Sequence, residues 1–195
     1  VEGKEILVMA VPSVFVRSTS EKVAQLVKPN QIIVDVAKGI ENGTLFTMSE
    51  IIHDEFSKVL DFDYGQIVAL SGPTHAEEVS IGLPSTIVSA CTDEKNAKIV
   101  QETFSTPYMR VYTNSNIKGV EICGALKNII ALAAGTCHGL GYGDNVIAAL
   151  ITRGIHEISR LGIAMGCPIH TFYGLAGLGD LIVTCTSRHS RNNQC

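Results

Sequence analysis

Short, unbroken apolar runs constrain this chain more than any other feature. Ile32-Ile33-Val34 and Ile67-Val68-Ala69-Leu70 are too short for helices and lack the alternation of a half-exposed strand, so strands made from them must be covered on both faces. Between such runs the apolar residues return at helical intervals. The spacing predicts strands over residues 6–11, 32–36, 67–70, 86–90 and 109–113, with helices over 14–27, 47–56, 74–81 and 93–104. Pro12-Ser13, Lys28-Pro29-Asn30 and Ser71-Gly72-Pro73 supply the breaks. Strands that alternate with helices and are buried on both sides imply a largely parallel, doubly wound sheet.

From about Asn114 the β-branched runs give way to long helical patterns over 117–134 and 146–165, then to shorter segments after His170. Gly135, Gly139, Gly141 and Gly143, and later Gly174, Gly177 and Gly179, are expected to mark connections between helices. The fold class expected is therefore α/β: the C-terminal part of a doubly wound, Rossmann-like parallel sheet followed by an all-helical domain. The boundary falls near residue 114, so residues 1–114 form a partial dinucleotide-binding domain and 115–195 a partial helical substrate-binding and catalytic domain. Neither Gly139-Leu-Gly-Tyr-Gly143 nor Gly174-Leu-Ala-Gly-Leu-Gly179 spells G-x-G-x-x-G or follows a strand, so both read as helix-connecting turns, with ligand approach as the alternative for the second.

Composition narrows the function. With 46% hydrophobic and 17% charged residues the chain can bury a core, which argues against disorder. A formal net charge of -4 argues against a cationic face for nucleic acid. No apolar run is expected to span a membrane, since the run at 129–134 stops at Gly135, and Val1-Glu2-Gly3-Lys4-Glu5 lacks the order of a signal peptide. Six cysteines without a C-x-x-C pair read as reduced, buried thiols of a cytoplasmic protein, with no metal role.

Lys127 is the most informative residue. Between Val120 and Ala134 the only other charge is Glu121, and the helical neighbours of Lys127 are Cys123, Gly124, Ile130 and Ala131. A lysine desolvated on such a face has a lowered pKa and can exchange a proton near neutrality. The alternative is a snorkelling lysine whose head reaches water. Lys38 follows a strand directly, at the edge where open α/β sheets bind ligands, or else is a solvated loop cation. Thr74 lies at the same edge after the next strand and is either a ligand contact or a helix cap assisted by Glu77. Asp180 and Asp144 read as caps. The run Ser187-Arg188-His189-Ser190-Arg191-Asn192 is either a solvated face or a phosphate site.

Val11-Pro12-Ser13, Ala37-Lys38-Gly39, Ser71-Gly72-Pro73-Thr74-His75-Ala76, Gly124-Ala125-Leu126-Lys127-Asn128, Gly177-Leu178-Gly179-Asp180-Leu181 and the stretch from Thr184 to Asn192 occur together and in order. In this combination the chain resembles the bacterial-type NAD(P)-dependent glycerol-3-phosphate dehydrogenase family, over nearly its whole length. The resemblance implies interconversion of sn-glycerol 3-phosphate and dihydroxyacetone phosphate with NAD or NADP, serving glycerophospholipid synthesis. The helical part should then resemble the C-terminal domain of 6-phosphogluconate dehydrogenase. By motif, Lys127 is implied as the proton acceptor with Asp180 beside it. Lys38, Gly72, Thr74, Asn128, Ser190, Arg191 and Asn192 are implied as substrate contacts, with Thr184 on the same side. Ala76, Lys38 and Arg191 are implied as cofactor contacts. A homodimer is the expected assembly. The family's opening Gly-rich turn is missing from these residues, so the chain is expected to be truncated at both ends and inactive alone. The competing readings are another lysine-using β-hydroxyacid or 6-phosphogluconate-type dehydrogenase, and a catalytically silent fragment that mediates association.

Overall fold

A computed structural model of the chain describes residues 1–187 together with Ser190 and Asn192. Five strands form one sheet in the order β1 (Ile6–Met9), β2 (Ile32–Asp35), β3 (Ile67–Ser71), β4 (Ser85–Ala90) and β5 (Met109–Asn114). Between them run α1 (Val16–Ala24), α2 (Met48–Ser57), the short α3 (Ala76–Ser80) and α4 (Glu94–Phe104). The apolar runs explain the layering. Alternate residues of one strand face opposite sides. Ile33, Ile67 and Ala69 therefore join a core with α1 and α2, while Ile32, Val34, Val68 and Leu70 join Ala97 and Val100 of α4 on the other face.

The sheet is parallel except at one place. β1 pairs with β2, β2 with β3 and β4 with β5 in parallel, whereas β3 and β4 are antiparallel, with Ala69 opposite Ala90 and Ser71 opposite Val88. The connection over residues 72–84 holds only the one short helix α3. A parallel crossover usually carries a full helix, and α3 has only five residues, so the chain turns back beside β3 instead.

After β5 come α5 (Ile117–Gly139), α6 (Asp144–Ala164), a π-helical turn (Leu175–Gly179) and α7 (Asp180–Thr186). Gly135 does not end α5, as its spacing had suggested: it is buried inside a helix that continues to Gly139. α5 is also long and apolar enough to cross a membrane, with a mean hydropathy of 1.4 over its best window, contrary to the expectation that no segment would be. Its packing gives the reason for that composition. Ile117 and Val120 enter the sheet core, and Ile122, Cys123, Ala131 and Ala134 enter a second core with Ile147, Ile155 and Ile158 of α6 and Leu181 and Cys185 of α7. A helix between two cores is apolar on most sides.

Candidate active site

The carboxyl ends of β1 to β3 lie at one edge of the sheet, and α5 and α7 bring their polar residues to it. Lys127 is only 8% exposed, so it does not snorkel. Its Nζ donates to Asp180 Oδ1 at 2.5 Å and to Thr184 Oγ1 at 2.8 Å. Thr184 in turn donates to the backbone oxygen of Asp180 at 2.6 Å, which leaves its own oxygen to receive the lysine. The other carboxylate oxygen, Asp180 Oδ2, accepts from Lys38 Nζ at 2.6 Å. One buried aspartate thus joins two ammonium groups from different parts of the fold.

Local structure explains each position. Asp180 opens α7, but its carboxylate is turned to the two lysines, which corrects the capping expectation. A Cβ on Gly124 would sit 3.3 Å from Lys38 Cγ and 3.4 Å from Ser71 Oγ, so the bare helix surface there is what lets the stem of Lys38 lie along α5. Gly177 is forced by its own turn, since a Cβ would come 2.1 Å from the Phe172 carbonyl oxygen, and its close approach is to protein rather than ligand. Burial is the main cause that lowers the pKa of Lys127 to about 8. The nearby Lys38 charge pushes the same way and Asp180 opposes both.

The remaining expected residues fall around this cluster. Asn128 is exposed, and its side-chain oxygen accepts from Asn192 Nδ2 at 2.8 Å. Ser190 is 3% exposed. Gly72 packs against β4, where a Cβ would be 3.0 Å from Ile87 Cα. Thr74 is not the cap of α3. Its hydroxyl donates to Gly72 O at 3.4 Å, and His75 holds the cap position without a side-chain cap bond. Ala76 is the exposed first residue of α3. Asp144 is likewise the first residue of α6 after the cap Gly143. Arg188, His189 and Arg191 lie outside the described residues; of that run the structure describes Ser187, Ser190 and Asn192. Cys91, Cys123, Cys167 and Cys185 are buried free thiols and Cys137 is half-buried.

Sequence reasoning missed a second buried polar group on α5. Glu121 accepts from Ser49 N at 2.7 Å and from Ser49 Oγ at 2.5 Å, and Ser49 Oγ lies 2.6 Å from Tyr64 OH. The carboxylate therefore caps the first turn of α2 from another helix. Burial raises its pKa to about 7. Asp35, buried at the end of β2, is also raised, first by burial and then by Glu121. Glu121 carried the same signal as Lys127, a lone charge on an apolar helix. A separate cleft of about 740 Å³ opens beside this network, lined by His53, Tyr64, Asn116 and Lys118 among others. It lies at the amino end of β3, away from the lysine cluster.

The geometry thus defines a desolvated lysine held by an aspartate at the carboxyl edge of a doubly wound sheet joined to helices. Residues 1–97 match the model of the NAD-dependent glycerol-3-phosphate dehydrogenase N-terminus and residues 116–195 that of its C-terminus. The chain belongs to the NAD-dependent glycerol-3-phosphate dehydrogenase family. It is 60% identical over 194 residues to a glycerol-3-phosphate dehydrogenase (NAD(P)+) of Lactobacillus delbrueckii subsp. bulgaricus, covering 98% of this chain and 57% of the relative. It is 55% identical to that of Fusobacterium nucleatum, covering 100% of this chain and 57% of the relative. The crystal structure of glycerol-3-phosphate dehydrogenase from Coxiella burnetii superposes with a TM-score of 0.86 at 36% identity, over 98% of this chain and 57% of that one. The chain thus spans a little over half the length of these relatives.

Proposed function

We propose that the chain contributes the proton-transferring lysine and much of the substrate side of an oxidoreductase that interconverts sn-glycerol 3-phosphate and dihydroxyacetone phosphate with NAD or NADP, and so supplies glycerol 3-phosphate for glycerophospholipid synthesis. The observation that carries the reading is Lys127: buried, held by Asp180 and Thr184, and with a pKa lowered to about 8. An amine titrating there is partly free base near neutral pH and can take the proton of a C2 hydroxyl, which an ordinary exposed lysine does poorly. Asp180 and Thr184 fix the direction of Nζ and stabilise the ammonium that forms. Lys38 keeps the second Asp180 oxygen engaged and adds positive charge where an anionic substrate would lie. Asn128, Ser190, Arg191 and Asn192, with Gly72 and Thr74, are assigned to the substrate and its phosphate, and Ala76, Lys38 and Arg191 to the cofactor.

The residues fit the reactive end of a nicotinamide cofactor: the edge carries the Lys38 cation and, at the end of β3, a buried Ser71 Oγ without a protein partner among the described residues. A glycine-rich pyrophosphate turn is not spelled in residues 1–195. When bound, the cofactor supplies the acceptor for the C2 hydride. Residues 1–114 then serve as the cofactor-side domain and 115–195 as the substrate-side domain. A cytoplasmic homodimer completes the proposal; the free thiols suit a reducing compartment, and light scattering tests the assembly.

Family membership favours this reading over another lysine-using dehydrogenase. Its test is Lys127→Met in the enzyme that carries this chain. The expected result is a kcat lower by roughly 10²- to 10⁴-fold, with substrate affinity changed less than about tenfold. A variant that keeps near wild-type kcat from pH 6 to 9 would remove Lys127 from the reaction.

A further inference from the structure

The segment between β2 and α2 carries Lys38 and is fastened on two sides. Ile40 and Thr47 form an antiparallel bridge and Glu41 N donates to Phe46 O at 2.9 Å, so the segment closes as a small hairpin. Its tip uses left-handed backbone at Gly43 (φ 94°) and Leu45 (φ 61°). Glu41 ties this hairpin to α1: its Oε1 accepts from Arg17 Nε and its Oε2 from Arg17 Nη2, each at 2.6 Å. Thr44 Oγ1 also donates to Glu41 Oε2, at 2.5 Å. The remaining guanidinium nitrogen of Arg17 reaches Asp54 at 2.6 Å and Glu55, both on α2. A bidentate guanidinium–carboxylate pair sets direction as well as distance. On the other side a Cβ on Gly39 would be 2.7 Å from Ser13 Cβ, so the loop backbone is seated on the turn after β1. Lys38 immediately precedes both fastenings, one residue before Gly39 and three before Glu41.

We propose that the Arg17–Glu41 pair is a positioning device for Lys38, holding its loop where the Lys38 ammonium meets the second oxygen of Asp180 and so completing the charge cluster around Lys127. Neither Arg17 nor Glu41 touches that cluster, and both act through the loop. The inference rests on the reading of Lys127 as the proton acceptor. The groups that face Lys127 are Lys38 from this loop and Asp180, Thr184 and Cys185 from α7. Burial sets most of the lowering of the Lys127 pKa and the Lys38 charge adds to it. If the loop drifts, a like charge leaves and Asp180 is left to Lys127 alone. Both changes favour the ammonium, so Lys127 must titrate at higher pH.

The experiment is an NMR titration of lysine-labelled protein without ligand, with the Lys127 signal assigned by its loss in Lys127→Met. Glu41→Gln keeps the shape of the side chain and leaves Arg17 bound to α2. It is expected to raise the Lys127 midpoint by ~1 pH unit or more, as Lys38→Met does directly. Asp54→Asn, which loosens Arg17 from α2 without freeing the loop, should leave the midpoint in place. A wild-type midpoint in Glu41→Gln, beside a raised one in Lys38→Met, overturns the positioning role while leaving the cluster intact. An unmoved midpoint in Lys38→Met overturns the reading of the cluster itself, and the inference with it. Should Glu41→Gln not fold, Arg17→Lys carries the same test, because an ammonium keeps the charge and loses the two-pronged grip; a smaller rise supports the role and no rise ends it.

Discussion

Asp180 separates two ammonium groups that would otherwise repel at close range, and its charge keeps Lys127 protonated against burial. Asp180→Asn should therefore lower the Lys127 pKa below about 8, the opposite sign to loss of Lys38. With Lys127 as the proposed proton acceptor, the rate of alcohol oxidation is expected to rise with pH as Lys127 loses its proton. The variant's kcat profile should reach its plateau at lower pH, with the plateau reduced roughly 10- to 100-fold because the charged bond that aims Nζ is gone. A plateau at higher pH in Asp180→Asn would contradict the electrostatic account. Lys127 was legible in the sequence because its isolation on an apolar helix is a local property. Its partners Asp180 and Thr184 are 53 and 57 residues away along the chain, and Lys38 is 142 residues from Asp180; no periodicity records such pairings. Asp180 accordingly looked like a cap and Lys38 stood undecided; only the family resemblance drew the three together.

At the scale of elements, the two long helices differ in how much room their glycines leave. Gly162 of α6 faces the ring of Phe172, which is fully buried, and a Cβ there would lie 1.9 Å from Phe172 Cζ. Gly139, at the end of α5, has nothing within 4 Å of that position and no positive φ. Gly162→Ala should destabilise the protein by about 1–3 kcal/mol through overpacking, whereas Gly139→Ala should stabilise it by about 0.4–1 kcal/mol through the unfolded chain. Denaturant midpoints of the two variants check both signs. The strands and their flanking helices were readable because burial on both faces leaves an unbroken apolar run. The errors share one cause. Gly135 and Asp180 have strong local meanings, and packing against α5's neighbours or ion pairs across the fold override them.

For the whole molecule, the sheet and helical units already hold the lysine cluster, but the chain covers 57% of its Lactobacillus relative. Pyrophosphate binding depends on helix-start amides in a glycine-rich turn, which residues 1–195 do not contain. A polypeptide of these residues should bind NADH at least ~100-fold more weakly than that relative, the scale of two lost charge-assisted hydrogen bonds. Calorimetry on both proteins measures this, and comparable affinities would mean that the described edge holds the cofactor by other contacts.

The reversal between β3 and β4 sets the length scale of α5. Because β4 and β5 run against β3, the chain leaves β5 at the edge of the sheet remote from Lys38, beside Tyr64 and Asn116. α5 must then cross back along β3 before it can present Lys127 to Asp180. From Asn116 to Lys127 a helix advances about 16 Å at 1.5 Å per residue, close to the span of a five-residue strand. The helix works as a ruler read in two coordinates, distance and angle. Losing or gaining one residue between its cap and Lys127 would shift the amine by only about 1.5 Å but turn it about 100° around the axis, away from both carboxylate and sheet. Geometry of this kind forbids changes of count between Asn116 and Lys127.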